Sequence, residues 1–307
     1  MIEPAVFRGF GAVEMRDSHL PCNNLGNIGP ELEGRIDVSR TSKTGRTQAN
    51  QELLRSFYDV LHGAWGPQNW WPAESAFEMI VGAFLTQNTA WTNVERAIVN
   101  LRAADLLTVK GIRDVEVQKL EDTVRPAGYF RQKSARLKNF VGFLDANYGG
   151  SIEHMLAEPT RKLRAELLAL NGVGPETADS ILLYAGNHTV FVVDSYTRRI
   201  LHRHGVASLQ MEYEAIRELW EAALSPIADT TPASLNGDKS SHHCDHLPSS
   251  LSASVRPQAA QCFNEMHALI VQIGKYHCRK AKPLCDTCPL ACFLPPKGPR
   301  SLDRAFS

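Results

Sequence analysis

The segment Leu170-Asn171-Gly172-Val173-Gly174-Pro175 constrains this chain more than any other. It joins an apolar helical stretch at about 160–169 to a second at about 175–186. Two glycines two residues apart permit a very tight turn, because glycine takes left-handed backbone without steric cost. Pro175 suits the first turn of the helix that follows. An αα-hairpin is therefore expected. Its backbone N–H groups and the helix N-terminus face one spot, where a phosphate oxygen can bind without any basic side chain. A plain hairpin with a glycine cap explains the same residues. Further on, Phe191-Val192-Val193 leads into Asp194 at another helix start. Asp194 reads either as an N-cap or as a partly buried carboxylate facing the hairpin's groove.

The rest of the chain carries the 3.6-residue period of helices and no strand pattern of useful length. From Gln51, residues Leu53, Leu54, Phe57 and Leu61 share a stripe; GPQNWWP at 66–72 breaks it. Phe77, Ile80, Val81, Phe84 and Leu85 form the strongest helical face, interrupted by Gln87, Asn88 and Thr89. Further helices are expected from Val94, at about 114–124, 131–147, 195–204 and 211–224, and at about 257–275. In the 131–147 helix Leu137, Phe140, Val141 and Leu144 face inward and Arg131, Lys133, Arg136 and Lys138 outward. Residues 1–48 have no sustained period and read as a disordered tail; 225–256, rich in Ser, Pro, Asp and His, read as a flexible insertion. The class is all-α.

Four of seven cysteines fall at Cys278, Cys285, Cys288 and Cys292, with six, two and three residues between them. Thiolates at such spacing suit an iron–sulfur cluster or tetrahedral zinc. Cys22, Cys244 and Cys262 stand apart. An odd count, a tight cluster and no apolar leader point to a reducing compartment, and a cytoplasmic protein is expected, nucleoid-associated in a bacterium. No apolar run is long enough for a membrane span. Lys plus Arg is 33 and Asp plus Glu is 33, which excludes a polycationic tail but not nucleic acid. Between Lys275 and Arg304 seven bases face two acids, a local excess of five positive charges suited to phosphate contacts. The tract His242-His243-Cys244-Asp245-His246 reads as an unstructured part of the insertion.

Four of five tryptophans lie between 65 and 91. Trp65 reads as core. Trp70, Trp71 and Trp91 flank helix ends, where they are either core or the π-faces between which an extruded base is held.

Gly-Val-Gly before a helix, then Val-Val-Asp at this distance, resembles the helix-hairpin-helix DNA glycosylases of the endonuclease III superfamily, over roughly residues 51–292 outside the insertion. WWP…FEMIVGAFLTQNTAW, VRPAGYFRQKSARLK and GPETAD resemble its 3-methyladenine DNA glycosylase III branch most. The resemblance implies two helical domains: a six-helix barrel with the hairpin at 76–188, and a discontinuous terminal-helix domain at 49–75 and 189–294 carrying an iron–sulfur loop, followed by a tail at 295–307. It implies that Asp194 is the catalytic aspartate. It implies that Trp70, Trp71, Trp91 and Glu176 line the base pocket, and that Gln87, Asn88, Gly172, Val173, Gly174 and Thr177 meet DNA, Gln87 filling the gap left by the flipped base. It implies a [4Fe-4S] cluster on the four cysteines, although the last spacing is three where the family has five; zinc is the alternative. Strand-nicking members carry a lysine where this chain has Glu176. A Schiff base needs an amine, so a monofunctional enzyme is expected, a monomer acting on double-stranded DNA with an alkylated base. The alternatives are a mismatch uracil or thymine glycosylase, an endonuclease III-type enzyme, and a non-catalytic hairpin DNA-binding protein.

Overall fold

The computed structural model describes residues 43–230 and 249–302. Every element among them is helical. They form two compact units.

The first unit comprises residues 69–192 and 249–264. Its centre is α2 (Ala76–Leu85), in which every residue from Phe77 to Leu85 is buried. Ser75 starts the helix, its hydroxyl accepting from Glu78 N at 3.1 Å. Around α2 pack α3 (Trp91–Ala103) and α6 (Phe130–Tyr148). The short helices α4 (Val109–Asp114) and α5 (Val117–Val124) run against α6. The helix expected at about 114–124 is α5, which starts at Val117 because Val115 leaves the helical region, and α4, capped by Thr108, precedes it as an additional helix. After α7 (Ile152–Leu156) comes the hairpin: α8 (Thr160–Leu168), a turn, and α9 (Pro175–Ser180), which widens into one π-helical turn at Ile181–Ala185. That π turn is wholly buried and packs on α2. Phe191 and Phe263 close the core edge-to-face at 5.9 Å.

The second unit comprises residues 43–68, 193–230 and 265–302. It pairs α1 (Lys43–Trp65) with α11 (Tyr213–Thr230), adds α10 (Ser195–Arg203) and the larger part of α12 (Gln258–Tyr276), and ends in the cysteine loop. Trp220 is fully buried at its centre.

Three expectations need correction at their edges. Helix α1 reaches back to Lys43, into the stretch read as a tail. Helix α11 continues to Thr230, past the expected end at 224. Residues 249–256 are ordered turns: Ser249 is buried, its hydroxyl donating to Trp71 O at 3.2 Å. Residues 1–42, 231–248 and 303–307 lie outside the described residues, and with them Cys22, the His242–His246 tract and Arg304.

Candidate active site

The hairpin turn is built around Gly172, whose φ is +83°. A Cβ there would stand 2.2 Å from Arg136 Nε, so a larger residue would strain the backbone and also displace that side chain. Gly174 differs. Its φ is −96° and a Cβ would meet nothing within 4 Å, so its small size serves no contact inside the protein. Val173 is buried, its N–H donating to Leu170 O at 3.1 Å. Arg164 on α8 grips the fully buried Asp179 on α9 with two bonds, of 2.6 and 3.0 Å. Glu176 lies in the first turn of α9, where an acid suits the helix dipole.

Gln87 is bound into this hairpin. Its Nε2 donates to Gly172 O and to Thr177 Oγ1, both at 3.0 Å, and its Oε1 accepts from Arg136 Nη1. Its neighbour Asn88 is exposed at a φ of +53°. Helix α6 thus holds both loops, and the expectation of an outward basic face fails for Lys133. That side chain is 1% exposed and donates to Leu85 O at 2.8 Å, Ala127 O at 2.7 Å and Thr89 Oγ1 at 2.5 Å. It is a cation at the carbonyl end of α2, a favourable place for one. Burial, then the Arg136 guanidinium, lower its pKa to about 8. Arg136 and Lys138 are half-buried, and Arg131 alone of the four is exposed.

The tryptophans form one cluster. Trp71 lies 5.3 Å from Trp70, 5.1 Å from Trp91 and 5.5 Å from Tyr184, ring centre to ring centre. Trp70 and Trp71 are buried, while Trp91 is half-exposed, its indole N–H donating to Glu95 at 2.7 Å. Trp71 rests on the backbone of α2 at Gly82, where a Cβ would come within 3.4 Å. The sequence reading missed Tyr184, whose place in an apolar helical run reads as core. It also missed Tyr129, 65% exposed at a φ of +43°, on the turn whose Ala127 carbonyl bonds both Lys133 and Thr89. Beside it Phe130 packs under Arg125 at 4.4 Å. Flanking arginines around adjacent aromatics were the available signal.

Asp194 lies in the second unit and is the N-cap of α10. Its Oδ1 accepts from Thr197 N at 2.7 Å and from Thr197 Oγ1 at 2.8 Å, while Thr197 Oγ1 also receives the Asp194 N–H. This reciprocal box fixes the carboxylate, which is 9% exposed. Its other oxygen, Oδ2, lies 3.8 Å from Nε2 of His267 on α12. The N-cap and the functional reading of Asp194 are therefore compatible: the cap sets the orientation of a side chain that keeps one oxygen for other work.

The far end of α10 holds the cysteine loop. Arg199 donates to Cys278 O at 2.7 Å and Gly274 O at 3.0 Å. Arg203, 4% exposed, donates to Cys278 Sγ at 3.2 Å, Arg279 O at 2.7 Å and Lys280 O at 2.9 Å. Cys278, Cys285 and Cys288 line one pocket with Arg203, Leu284 and Leu290. Cys278 is buried and Cys292 exposed. Burial, then the neighbouring cysteines, push the Cys288 thiol up to about 12 against the bond from the Leu290 backbone. Among the described residues no group of three or more His, Cys, Asp or Glu side chains is arranged to hold a metal ion.

The model of the HhH-GPD superfamily base excision DNA repair proteins matches residues 81–226. A Methanocaldococcus jannaschii protein named "Putative DNA repair glycosylase" is 43% identical over 243 residues, 79% of this chain and 96% of its own. The crystal structure of H. pylori 3-methyladenine DNA glycosylase, bound to 1,N6-ethenoadenine, matches with a TM-score of 0.58 at 28% identity, over 73% of this chain and 96% of that one. A trapped endonuclease III–DNA covalent intermediate matches with a TM-score of 0.58 at 18% identity, over 80% of this chain and 95% of that one, a likeness of fold alone.

Proposed function

The chain belongs to the HhH-GPD superfamily of base excision DNA repair proteins, and on that premise we propose that it is a monofunctional DNA glycosylase for alkylated bases of the 3-methyladenine type. The observation that carries this reading is the Asp194 carboxylate: buried, fixed by Thr197 through one oxygen, and tied by the other to no arginine or lysine at salt-bridge distance among the described residues. Breaking an N-glycosidic bond leaves positive charge on the sugar. A preorganised anion stabilises that charge and orients the attacking water. A protein that only gripped DNA would use Asp194 for no more than the cap of α10, a task asparagine performs about as well without repelling phosphate.

The Trp70, Trp71, Trp91 and Tyr184 cluster supports the substrate. Alkylated purines such as 3-methyladenine are cationic, and aromatic faces attract them by about 0.5–2 kcal/mol per contact. Such bases are good leaving groups and need little acid catalysis. The 28% identical H. pylori structure is named for that substrate class. Glu176 in place of a lysine supports hydrolysis without a Schiff base. Gly172, Val173, Gly174 and Thr177 offer the hairpin backbone to phosphate, with Gln87, Asn88 and Tyr129 beside the duplex stack.

A panel of damaged duplexes tests the reading. Free 3-methyladenine is expected from methylated DNA, with no strand nicking and no adduct trapped by borohydride. Release of uracil from a U·G pair without 3-methyladenine overturns the substrate; a trapped adduct overturns the monofunctional mechanism.

The reading extends to a [4Fe-4S] cluster on Cys278, Cys285, Cys288 and Cys292. The donor chemistry fits. The other three cysteines act electrostatically on Cys288, and Arg203 places a buried cation against Cys278 Sγ, a favourable neighbour for thiolate. The ligands of one zinc converge on a single ion, whereas the cysteines of a cluster each take a different iron. Such a group would supply rigidity and redox activity to this loop. Brown protein with iron and sulfide in equal amounts is expected; colourless protein with stoichiometric zinc overturns it.

A further inference from the structure

His267 is a histidine that neither sequence motif nor charge pattern singles out. It lies on α12, 6% exposed, with Nε2 3.8 Å from Asp194 Oδ2. The gap exceeds a direct hydrogen bond; a small shift of the imidazole, with the carboxylate held by Thr197, closes it. Thr197 commits Oδ1 with two bonds and leaves Oδ2 to whatever faces it. Further along α12, Gly274 packs so tightly on Tyr196 of α10 that a Cβ would lie 2.3 Å from its Cδ1. Arg199 bonds Gly274 O as well.

We propose that His267 is a positioning residue for Asp194, its Nε2–H directed at Oδ2 so that both oxygens of the carboxylate are oriented by the protein. This rests on the reading of Asp194 as the catalytic carboxylate. A histidine suits the task better than a permanent cation. Arginine or lysine would pair with Asp194 and cancel the negative charge that the sugar cation requires. A neutral imidazole orients the oxygen and leaves the charge in place. Burial favours that neutral form and lowers the histidine pKa, with Asp194 acting the other way. The titratable and charged groups of α10 at this junction are Asp194, Tyr196 and Arg199, and the phenol of Tyr196 is itself held up by burial and then by Asp194.

Two measurements test the proposal. In the full-length protein, imidazole nitrogen NMR is expected to find His267 neutral at pH 7, protonated at Nε2, and shifted by Asp194→Asn. A charged ring, or a ring indifferent to Asp194→Asn, overturns the proposal. In single-turnover release of bases from methylated duplex DNA, His267→Leu is expected to slow the step about ten- to a hundredfold, with DNA affinity unchanged, as for other misplaced catalytic groups. His267→Gln keeps an N–H near the Nε2 position and should recover most of the rate. A wild-type rate in His267→Leu, or a Gln variant that folds but is as slow as Leu, overturns the proposal. If the NMR coupling holds but Asp194→Asn keeps full activity, it is the catalytic reading of Asp194 that fails.

Discussion

Oδ1 of Asp194 caps α10, while Oδ2 is the oxygen left for chemistry. Asparagine caps about as well as aspartate, whereas alanine costs about 1 kcal/mol. Asp194→Asn is therefore expected to melt within about 2 °C of wild type while base release falls about 10²–10³-fold. Equal loss of melting temperature in the Asn and Ala variants would mean that the charge itself holds the helix. Lys133 makes a separate prediction, since it bonds three buried acceptors at once. Lys133→Met takes the lysine donor from Leu85 O, while Ala127 O keeps its bond from Thr89, and should cost about 2 kcal/mol at pH 7. The pH dependence has a definite sign. The folded-state pKa is lowered from 10.5 to about 8, so between those values the unfolded chain binds more protons. Wild type should gain stability relative to Lys133→Met as pH rises through that window. Denaturant titrations at pH 7.5 and 10 measure the difference; a gap that shrinks with pH refutes it.

The hairpin contains two glycines that sequence alone treats as equivalent. Only Gly172 is in left-handed backbone, and only there does Arg136 occupy the space of a Cβ. Gly172→Ala should destabilise the fold by about 1–3 kcal/mol. Gly174→Ala should leave melting within about 0.5 kcal/mol, yet weaken DNA binding, because a methyl group there obstructs only something outside the protein. Unchanged affinity in Gly174→Ala would remove this turn from the DNA interface. The hairpin was legible because glycine spacing and proline placement are local rules. The cationic cage was not. Lys133 repeats with Arg131, Arg136 and Lys138 along a helix, a pattern that ordinarily means a solvated face. Its partners are carbonyls of residues 85 and 127, brought near by tertiary packing, and carbonyls carry no sequence signature. His267 was missed for the same reason: its partner is 73 positions away in sequence, and its helix pattern marks it only as buried.

At the scale of the molecule, equal numbers of acids and bases conceal a local asymmetry. Arg279, Lys280, Lys282, Lys297 and Arg300 are exposed around the cysteine loop, where Asp286 is the exposed acid among the described residues. Elsewhere some acids are paired with arginines: Glu78 with Arg102, Asp179 with Arg164, and Asp145 with Arg113. Net charge thus predicts weak nucleic-acid binding, while the distribution predicts the reverse. Each phosphate neutralised releases condensed counterions, so affinity should fall with salt at a log–log slope of about −0.9 per phosphate. Replacing Arg279, Lys282 and Lys297 together by glutamine should make that slope shallower by roughly one for every phosphate no longer neutralised, and should weaken undamaged and damaged duplexes alike. The single-turnover rate at saturating DNA should stay unchanged, since none of the three belongs to the proposed site. A slope unaltered in the triple variant would place the phosphate-binding groups elsewhere, on the hairpin and the Arg125–Arg131 turn, and a reduced rate at saturation would tie the loop to the chemistry itself.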